Sequence, residues 1–386
     1  MVAADREDEL LRWRKEFPAL EKSVYMISHS LGAMPRAAAE HLAEFGQLWV
    51  ERSITAWEEW LPEVDRAAAR VGKIIGAPAG SIIMLPNVSH AQAVVASCLE
   101  YTPARNKVVY TDMNFPSVSY VWMEERRRGA RVEIVKSPDG VRVPLEQLLA
   151  AIDERTVIVP ISHVLFRSSF IQDARAIVRR AHDVGALVLL DCYQSAGTVP
   201  FDVTAMDVDM ACGGSVKWLC GGPGAGYLYV RPELRGKLKP RVTGWFAHKA
   251  PFAFAMPEQE YAESVWRLIG GTPAVACLYQ ARAGAEIVGE IGVDRIRRKS
   301  LRQTQRLIEL VDDAKHQLNS PRADNERAGV VCFDFEGSAQ VAKELNRRKF
   351  FCDHRPQCGI RVSPHFYTKD EELDLFMKEV EKIRGG

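Results

Sequence analysis

The stretch of sequence that decides the fold class is Ala186–Val230, ALVLLDCYQSAGTVPFDVTAMDVDMACGGSVKWLCGGPGAGYLYV. It contains three short apolar runs, ALVLL, DMACG and GYLYV, which are separated by polar and glycine-rich segments. Runs without an alternation of apolar and polar residues are typical of strands in a parallel sheet with both faces covered. Asp191 follows the first run directly, and Lys217 lies on the loop after the second.

The same kind of run recurs upstream of this stretch. SIIMLP, KVVYTD, RVEIV and TVIVPIS are short and apolar, and helical patterns such as residues 92–100 and 172–184 lie between runs of this kind. This alternation predicts an α/β fold, a three-layer α/β/α domain with a mostly parallel sheet. Sheets of this type bind ligands at the carboxyl ends of their strands, so we expect Asp191 and Lys217 to face a ligand.

The pattern changes after residue 271. Two long helical patterns cover residues 274–289 and 296–314, and they are followed by GVVCFDFEG and GIRVSPHFY as strands and by an amphipathic helix over 369–383. We therefore predict a large domain over residues 40–273, and a smaller α+β domain built from residues 1–39 and 274–386.

Composition excludes several classes of protein. With 47% hydrophobic and 26% charged residues among 386, the chain is neither disordered nor of low complexity. The 51 basic and 50 acidic residues nearly cancel, which gives no general attraction for nucleic acid or anionic membranes. The acidic, interrupted start is unlike a signal peptide, and no apolar run approaches the ~20 residues that span a bilayer. We expect a soluble, cytoplasmic protein.

The cysteines do not predict a metal site. No pair among the eight has CxxC spacing, and Cys352, His354 and Cys358 would supply only three ligands without a fourth nearby. We expect most of these thiols to be reduced and buried.

Asp191 and Lys217 are the most informative pair of charged residues, 26 positions apart. Burial of an unpaired carboxylate or ammonium is costly, so a salt bridge at the surface is one interpretation. The other is cofactor chemistry, because a Schiff-base lysine needs a lowered pKa and an acid at a pyridine nitrogen keeps that ring protonated. Spacing alone leaves both open.

A second candidate feature is the start of a helix after the SIIML run. Residues 86–90, PNVSH, lead into AQAVVASCLE, and free N–H groups at a helix N-terminus can bind a phosphate dianion. We predict Ser89 and His90 as phosphate ligands, a role that is compatible with Asn87 or Ser89 as the N-cap. The glycine-rich residues 221–226 precede a strand rather than a helix, so we interpret them as a turn.

Seven segments in order resemble pyridoxal-phosphate (PLP) enzymes of fold type I, in the class V aminotransferase group, and most of all kynureninase. They are YMISHSLGAMP (25–35), NFPSVSY (114–120), LLDCYQSAG (189–197), SVKWL (215–219), TGWFAH (243–248), GTP (271–273) and GIRVSPHFY (359–367). The resemblance covers nearly the whole chain. It implies the PLP-dependent transferase fold and PLP as cofactor.

The resemblance also implies roles for individual residues. Lys217 would carry the cofactor and act as general base, Asp191 would pair with the pyridinium nitrogen, and the ring of Phe115 would stack on the cofactor. The further cofactor contacts that we predict are Ser89, His90, Gln194, Ser215, Trp245 and Thr272.

For the substrate, the resemblance implies Arg361 as the clamp on an α-carboxylate, a task that suits a planar guanidinium. His29, Arg167 and His248 are the other predicted substrate contacts, although Arg167 in HVLFRSS also fits an exposed loop arginine. The implied assembly is a homodimer with the active site at the interface, where the GTP segment reaches the phosphate of the neighbouring subunit.

The implied reaction is hydrolytic cleavage at Cβ of an α-amino acid, as in kynureninase. Four positions depart from that family, since Val216 replaces a tyrosine, Gln194 a histidine, Thr272 an asparagine and Val118 an aspartate. An aminotransferase, an epimerase and a β-eliminating lyase therefore stay open as alternatives, as does a non-catalytic protein with this fold. A dinucleotide binder is disfavoured, because no GxGxxG lies between a strand and a helix.

Gln194 and the GTP segment resemble the cysteine desulfurase branch instead. That branch needs a nucleophilic cysteine on a mobile loop well upstream of the carboxylate-binding arginine. Cys358 and Cys352 stand only three and nine residues before Arg361, so we disfavour desulfuration.

Overall fold

The computed structural model describes residues 8–256 and 259–385. In this part of the chain the strands are β1 (Val24–Tyr25), β2 (Ile82–Leu85), β3 (Lys107–Thr111), β4 (Arg131–Val135), β5 (Thr156–Ser162), β6 (Leu187–Asp191), β7 (Met210–Gly214), β8 (Gly226–Val230), β9 (Gln317–Leu318), β10 (Val331–Asp334), β11 (Phe350–Phe351), β12 (Asp353–Arg355) and β13 (Gly359–Val362).

The α-helices are α1 (Arg36–Arg52), α2 (Trp57–Ile75), α3 (Val88–Ser97), α4 (Pro116–Glu124), α5 (Leu145–Ala151), α6 (Ala174–Asp183), α7 (Pro232–Arg235), α8 (Val275–Ile291), α9 (Val293–Asp313), α10 (Ser338–Arg347) and α11 (Glu371–Gly385). Short 3-10 helices cover Glu9–Glu16, Pro18–Glu21, Ser53–Ala56, Glu125–Arg128, Trp245–Ala247, Pro251–Ala253 and Val265–Leu268.

A seven-stranded sheet forms the centre of the molecule, with the order β2-β8-β7-β6-β5-β3-β4. The pairs from β4 through β7 are parallel, and only β8 runs against its two neighbours. Every residue of β2, β3, β7 and β8 is buried. Because successive side chains point to opposite faces, both faces of these strands are covered. The predicted three-layer α/β fold with a mostly parallel sheet is confirmed.

The register of this sheet brings strand ends together. Ser162 at the end of β5 pairs with Asp191 at the end of β6, and Asp191 pairs with Cys212 on β7. Lys217 lies three residues beyond the end of β7. Asp191 and Lys217 therefore lie at the same edge of the sheet, the carboxyl end where parallel sheets bind ligands.

A second, smaller sheet has the antiparallel order β12-β13-β10-β9. Its core includes Val331, Phe333 and Ile360, together with Val24 and Met26 from the N-terminal segment. Strand β1 pairs with β11, which connects the N-terminal segment to the C-terminal part of the chain. Helix α8 packs on α1 and α2 and contributes to the core of the large sheet. The predicted domain limits at residues 39–40 and 273–274 stay a prediction.

Among the residues that the structure describes, no helix is both long and apolar enough to cross a membrane.

Candidate active site

A cavity of about 200 Å³ opens at the carboxyl ends of β5, β6 and β7. Five of the predicted site residues line it: Ser89, Phe115, Asp191, Gln194 and Lys217. The other lining residues are Asn87, Val88, Ser117, Ser162, Val164, Phe166, Tyr193 and Val216. The cavity thus joins the two charged residues to an aromatic ring and to the start of α3.

The side chain of Lys217 is half-buried and lines the cavity. Its Nζ lies 5.4 Å from the ring centre of Phe115 and 4.4 Å from that of Tyr193. Within residues 8–256 and 259–385, Nζ has no hydrogen-bond or ion-pair partner within contact distance. Burial lowers the pKa of Lys217 to about 8, although the charge of Asp191 opposes this shift. At pH 7 this pKa leaves roughly a tenth of the amine neutral, against well under a thousandth for an ordinary lysine, and the neutral amine is the form that attacks a carbonyl carbon.

Asp191 is the buried carboxylate of the site. Its Oδ1 accepts a hydrogen bond from the backbone N–H of Tyr193 at 2.9 Å. Burial raises the pKa of Asp191 to about 6, while the N–H of Tyr193 and the charge of Lys217 act in the opposite direction. A cationic ring nitrogen placed beside this carboxylate would compensate for the burial of its charge.

The start of α3 forms the third part of the site. Asn87 caps the helix, because its Oδ1 accepts the N–H of His90 at 2.9 Å. The N–H groups of Val88 and Ser89 are in the first turn and have no acceptor in the described part of the chain. Both residues line the cavity, so these donors and the positive end of the helix dipole suit a phosphate.

This set of groups fits PLP. The cofactor has a carbonyl carbon for the amine of Lys217, a ring nitrogen for Asp191 and a phosphate for the start of α3. Phe115 is half-exposed at 40% and packs edge-on against Phe166, with ring centres 5.3 Å apart, so its face is available to a flat ring.

Arg361 lies next to the cavity and is tied to an acidic partner. It pairs across β12 and β13 with Asp353, to which Nε and Nη2 donate at 2.8 and 2.6 Å. Its Nη1 donates to the carbonyl oxygen of Phe166 at 2.7 Å, and the side chain of Phe166 lines the cavity. The charge of Arg361 also acts to lower the pKa of Lys217.

His29 supports this group from the N-terminal segment. Burial lowers the pKa of His29 to about 4, and the charge of Arg361 adds to the shift, so the ring is neutral at pH 7. Nε2 lies 3.0 Å from Asp353 Oδ1, and Nδ1 lies 2.6 Å from the hydroxyl of Ser363. Because an ionised carboxylate only accepts, Nε2 carries the proton and Nδ1 accepts from Ser363.

The chain is similar to a known protein family. The family described as aminotransferase class-V matches residues 43–376. The chain belongs to the class V aminotransferase family. Enzymes of this family use PLP, so the protein is a PLP-dependent enzyme, as the resemblance implied.

Two curated relatives cover almost the whole of this class V enzyme. The "uncharacterized aminotransferase YcbU" of Bacillus subtilis (strain 168) is 32% identical over 369 residues, which is 96% of each chain. The kynureninase of Pseudomonas fluorescens is 30% identical over 391 residues, or 97% of this chain and 92% of the relative.

Solved structures confirm the predicted fold at lower identity. The apo structure of the cysteine desulfurase from Thermococcus onnurineus NA1 has a TM-score of 0.87 and 22% identity, and it covers 97% of this chain and 98% of its own. The cystine C-S lyase C-DES, in complex with its product cysteine persulfide, has a TM-score of 0.86 and 19% identity, with 94% and 98% covered. At these identities the likeness concerns the fold alone.

Several predicted contacts of the class V enzyme do not line the cavity in this chain. His90 and Thr272 share a neighbouring depression with Gly224, and His248 lies in a third depression with Phe252. Their predicted roles in cofactor and substrate binding stay predictions.

The side chains of three further predicted contact residues interact with other residues of the chain and do not line the cavity. Trp245 stacks on Phe254, packs at a tilt against Phe246 and is 40% exposed. The buried hydroxyl of Ser215 donates to the carbonyl of Ala225 at 3.1 Å. Arg167 donates from Nη1 to Gln357 Oε1 at 3.2 Å and lies over the ring of Phe166. Their roles also stay predictions.

Two side chains of this site, Tyr193 and Asp353, are not among the residues predicted from the sequence. A signal for Tyr193 exists, because side chains two positions apart near a strand end point to the same side, and Tyr193 is two residues after Asp191. A signal for Asp353 also exists, since the tight turn in DHRPQCGIR predicts a hairpin that sets Asp353 opposite Arg361.

The lowered pKa of Lys217 predicts how fast the apo-enzyme reacts with a cofactor analogue. We expect the rate of adduct formation with pyridoxal to rise about fivefold between pH 7 and pH 8 and to level off above pH 9, because the neutral amine is the reactive form. Pyridoxal is the probe because it lacks the phosphate, and its rate with a free model amine at each pH corrects for the titration of pyridoxal itself. Rapid-mixing absorbance measures the rate, and a rise that continues to pH 10.5 would contradict the prediction.

Proposed function

We propose that this enzyme catalyses hydrolytic cleavage at Cβ of an α-amino acid that carries an aromatic side chain, as kynureninase does. The observation that carries the proposal is the unpaired amine of the half-buried Lys217, which lines the same cavity as Asp191, with apolar walls and with Arg361 nearby. The kynureninase of Pseudomonas fluorescens, 30% identical over almost the whole chain, supports this class of reaction.

In this mechanism the chain supplies the proton transfers and the orientation. Bound PLP withdraws electrons from the amino acid. Lys217 Nζ takes the proton from Cα, which its lowered pKa allows near neutral pH. Asp191 holds the proton on the ring nitrogen. Arg361 would bind the α-carboxylate and so fix the orientation of the amino acid relative to Lys217.

The walls of the cavity set the class of side chain. Val164, Phe166 and Val216 form an apolar surface, which favours an aromatic group over a charged one. Ser117 and Ser162 bring hydroxyls to the same cavity and can hydrogen bond the attacking water or the carbonyl group that it attacks.

A second candidate, transamination, is favoured by Val216. This side chain lines the cavity directly before Lys217, at the position where kynureninases carry a tyrosine, so a phenol is absent at that place in the chain. Transamination needs only that Lys217 moves a proton between two atoms, without chemistry at Cβ. Desulfuration has less support, because the described cavity has no cysteine in its lining and Cys352 and Cys358 are both buried.

The test is product analysis with the holoenzyme. L-kynurenine and 3-hydroxykynurenine are incubated separately, and we expect anthranilate or 3-hydroxyanthranilate together with alanine in equal amounts. A parallel incubation of L-alanine with a series of 2-oxo acids reports amino transfer. Formation of new amino acids from the 2-oxo acids, with no anthranilate from either kynurenine, would replace the first candidate by the second.

We also propose that the working unit is a homodimer with the active site at the interface. Trp49, Val50 and Ile54 on and after α1 are exposed apolar residues, next to a depression that reaches Pro273. A second copy on this surface would remove it from water and would bring a partner close to the predicted Thr272 contact. Sedimentation of the holoenzyme measures the mass, and a monomer at micromolar concentration would contradict this proposal.

A further inference from the structure

The carboxylate of Asp353 is the centre of a charged group beside the cavity. It accepts from Nε and Nη2 of Arg361, lies 3.0 Å from Nε2 of His29 and pairs with Nη2 of Arg355 at 2.9 Å. Burial alone would raise the pKa of Asp353, but the bond from His29 and the pairing with Arg361 hold it well below its usual range. Asp353 is therefore ionised at every pH at which the enzyme is studied.

The contacts of Arg361 leave part of its guanidinium unused. A guanidinium has five N–H groups, and a carboxylate can bind two of them along one edge. Asp353 takes the edge formed by Nε and Nη2, and Phe166 takes one N–H of Nη1. In the described part of the chain, the second N–H of Nη1 and the second N–H of Nη2 have no acceptor. One edge of Arg361 is bound, and donors for a second carboxylate remain.

The partners of Asp353 keep it in place. Neutral His29 donates to Asp353, accepts from Ser363 and receives at its carbonyl oxygen the side-chain N–H of Gln194 at 3.0 Å. Gln194 lines the cavity, so the group is connected to the cavity on two sides, here and through Phe166. Because Asp353 is held in place, it holds Arg361 in a single orientation. A ligand that binds Arg361 therefore costs little conformational entropy of this side chain.

The charges of the group also favour one carboxylate. Arg361 and Arg355 contribute two positive charges, Asp353 removes one, and His29 is neutral at pH 7. The group keeps a single positive charge, which matches a single α-carboxylate.

We propose that Asp353 is a positioning residue that holds one edge of Arg361 so that the remaining N–H groups receive the α-carboxylate of the substrate. The inference rests on the proposed function, in which Arg361 is the carboxylate ligand. It adds that the carboxylate binds beside Asp353 and does not displace it. Displacement would separate Asp353, which is half-buried, from its two shortest contacts, those with the buried Arg361.

The test measures ligand binding to the holoenzyme by calorimetry. The probe is 3-phenylpropionate, which has a carboxylate and an aromatic group but no amine that could react with the cofactor. Its amide, 3-phenylpropionamide, has the same shape without the charge. The variants are Asp353→Asn, Arg361→Lys and the double variant. Asp312→Asn is the matched control, since Asp312 binds Arg322 through both oxygens at 2.7 and 2.8 Å on the surface.

We expect Asp353→Asn to raise the Kd of 3-phenylpropionate about tenfold, because the asparagine N–H groups would face the donors of Arg361. Arg361→Lys is expected to have at least the same effect, and the double variant should bind no more weakly than Arg361→Lys, because Asp353 acts through Arg361. The Kd of the amide should change less than twofold in Asp353→Asn, and that of the acid less than twofold in Asp312→Asn.

Three results would overturn the inference. An unchanged or lower Kd in Asp353→Asn would make Asp353 a bystander or a competitor for Arg361. Additive losses in the double variant would mean that Asp353 acts independently. An unchanged Kd in Arg361→Lys would also mean that Arg361 does not bind the carboxylate, against the proposed function. A higher Kd in Arg361→Lys together with an unchanged Kd in Asp353→Asn would refute only the positioning role of Asp353. If Asp353→Asn does not fold, Ser363→Ala removes the hydroxyl behind His29 and is expected to raise the Kd about threefold.

Discussion

Lys217→Met is expected to abolish covalent attachment of PLP and to lower kcat with any accepted amino acid at least a thousandfold. Methionine has nearly the shape of lysine but has neither a nucleophile nor a base, and the described cavity offers no second lysine in its lining. Borohydride reduction of the holoenzyme followed by peptide mass spectrometry measures the attachment. In the wild-type enzyme the added mass should be on the peptide that contains Lys217, and in the variant on none.

The matched control is Lys382→Met, which removes an exposed amine on α11 and should leave attachment and kcat unchanged. Stability provides an independent check. The pKa of Lys217 is lower in the folded protein than in the unfolded chain, so its burial destabilises the apo-protein at pH 7, and this cost disappears as the pH rises above about 8 towards 10.5. The Tm of apo Lys217→Met at pH 7 should therefore be higher than that of the wild type, and a clearly lower Tm would show a structural role.

Among the predicted site residues that the structure brings together at one cavity, three lie next to strand and helix ends. Asp191 ends β6, Lys217 follows β7, and Ser89 lies in the first turn of α3 after β2. In a parallel sheet, the end of a strand determines the edge at which the next residues lie, whatever the details of packing. For these positions a one-dimensional pattern is sufficient to predict proximity in space.

Trp245 and His248 show where this reasoning stops. They lie in an irregular segment between α7 and α8, whose described residues form only short 3-10 helices and therefore give no periodic pattern from which a path can be predicted. Their predicted role also depends on a second copy of the chain, which no local pattern describes. Arg361 is an intermediate case, because its strand is predictable while its partner Asp353 depends on the register of the hairpin.

The identity of the cavity walls depends on side chains that follow no strand pattern. Val164 pairs with Ile171 in an isolated bridge after β5, and Phe166 lies in the turn between them. The sequence HVLFRSS shows an apolar run that continues past the strand, but the direction of each ring depends on the packing of Phe115 and Phe166. Substrate class is therefore harder to predict than cofactor class, because many side chains determine it together.

Asp191→Asn is the second change with a large expected effect, and it should separate cofactor binding from chemistry. Lys217 is intact, so PLP stays attached, but asparagine does not stabilise a proton on the ring nitrogen, and we expect kcat to fall about a hundredfold to a thousandfold. The charge of Asp191 raises the pKa of Lys217 against the effect of burial. Its removal should therefore move the pH midpoint of the reaction with pyridoxal below 8, which rapid mixing of the apo-variant measures.

Asp209→Asn is the matched control, because Asp209 is also a buried aspartate but directly precedes β7, at the end of the strand opposite to the site. Its Oδ2 accepts the N–H of Val188 at 2.8 Å and lies 2.9 Å from Nε2 of His182, so its loss should lower the Tm and leave the pyridoxal midpoint unchanged. Asp191→Asn is expected to change the Tm in the opposite direction. Burial raises the pKa of Asp191 to about 6, so its charge destabilises the apo-protein at pH 7 and its removal should raise the Tm. A fall in Tm with an unchanged pyridoxal midpoint would make Asp191 a structural residue like Asp209. A higher Tm together with a lower kcat is expected if the carboxylate serves to bind a cationic ring nitrogen at the cost of stability.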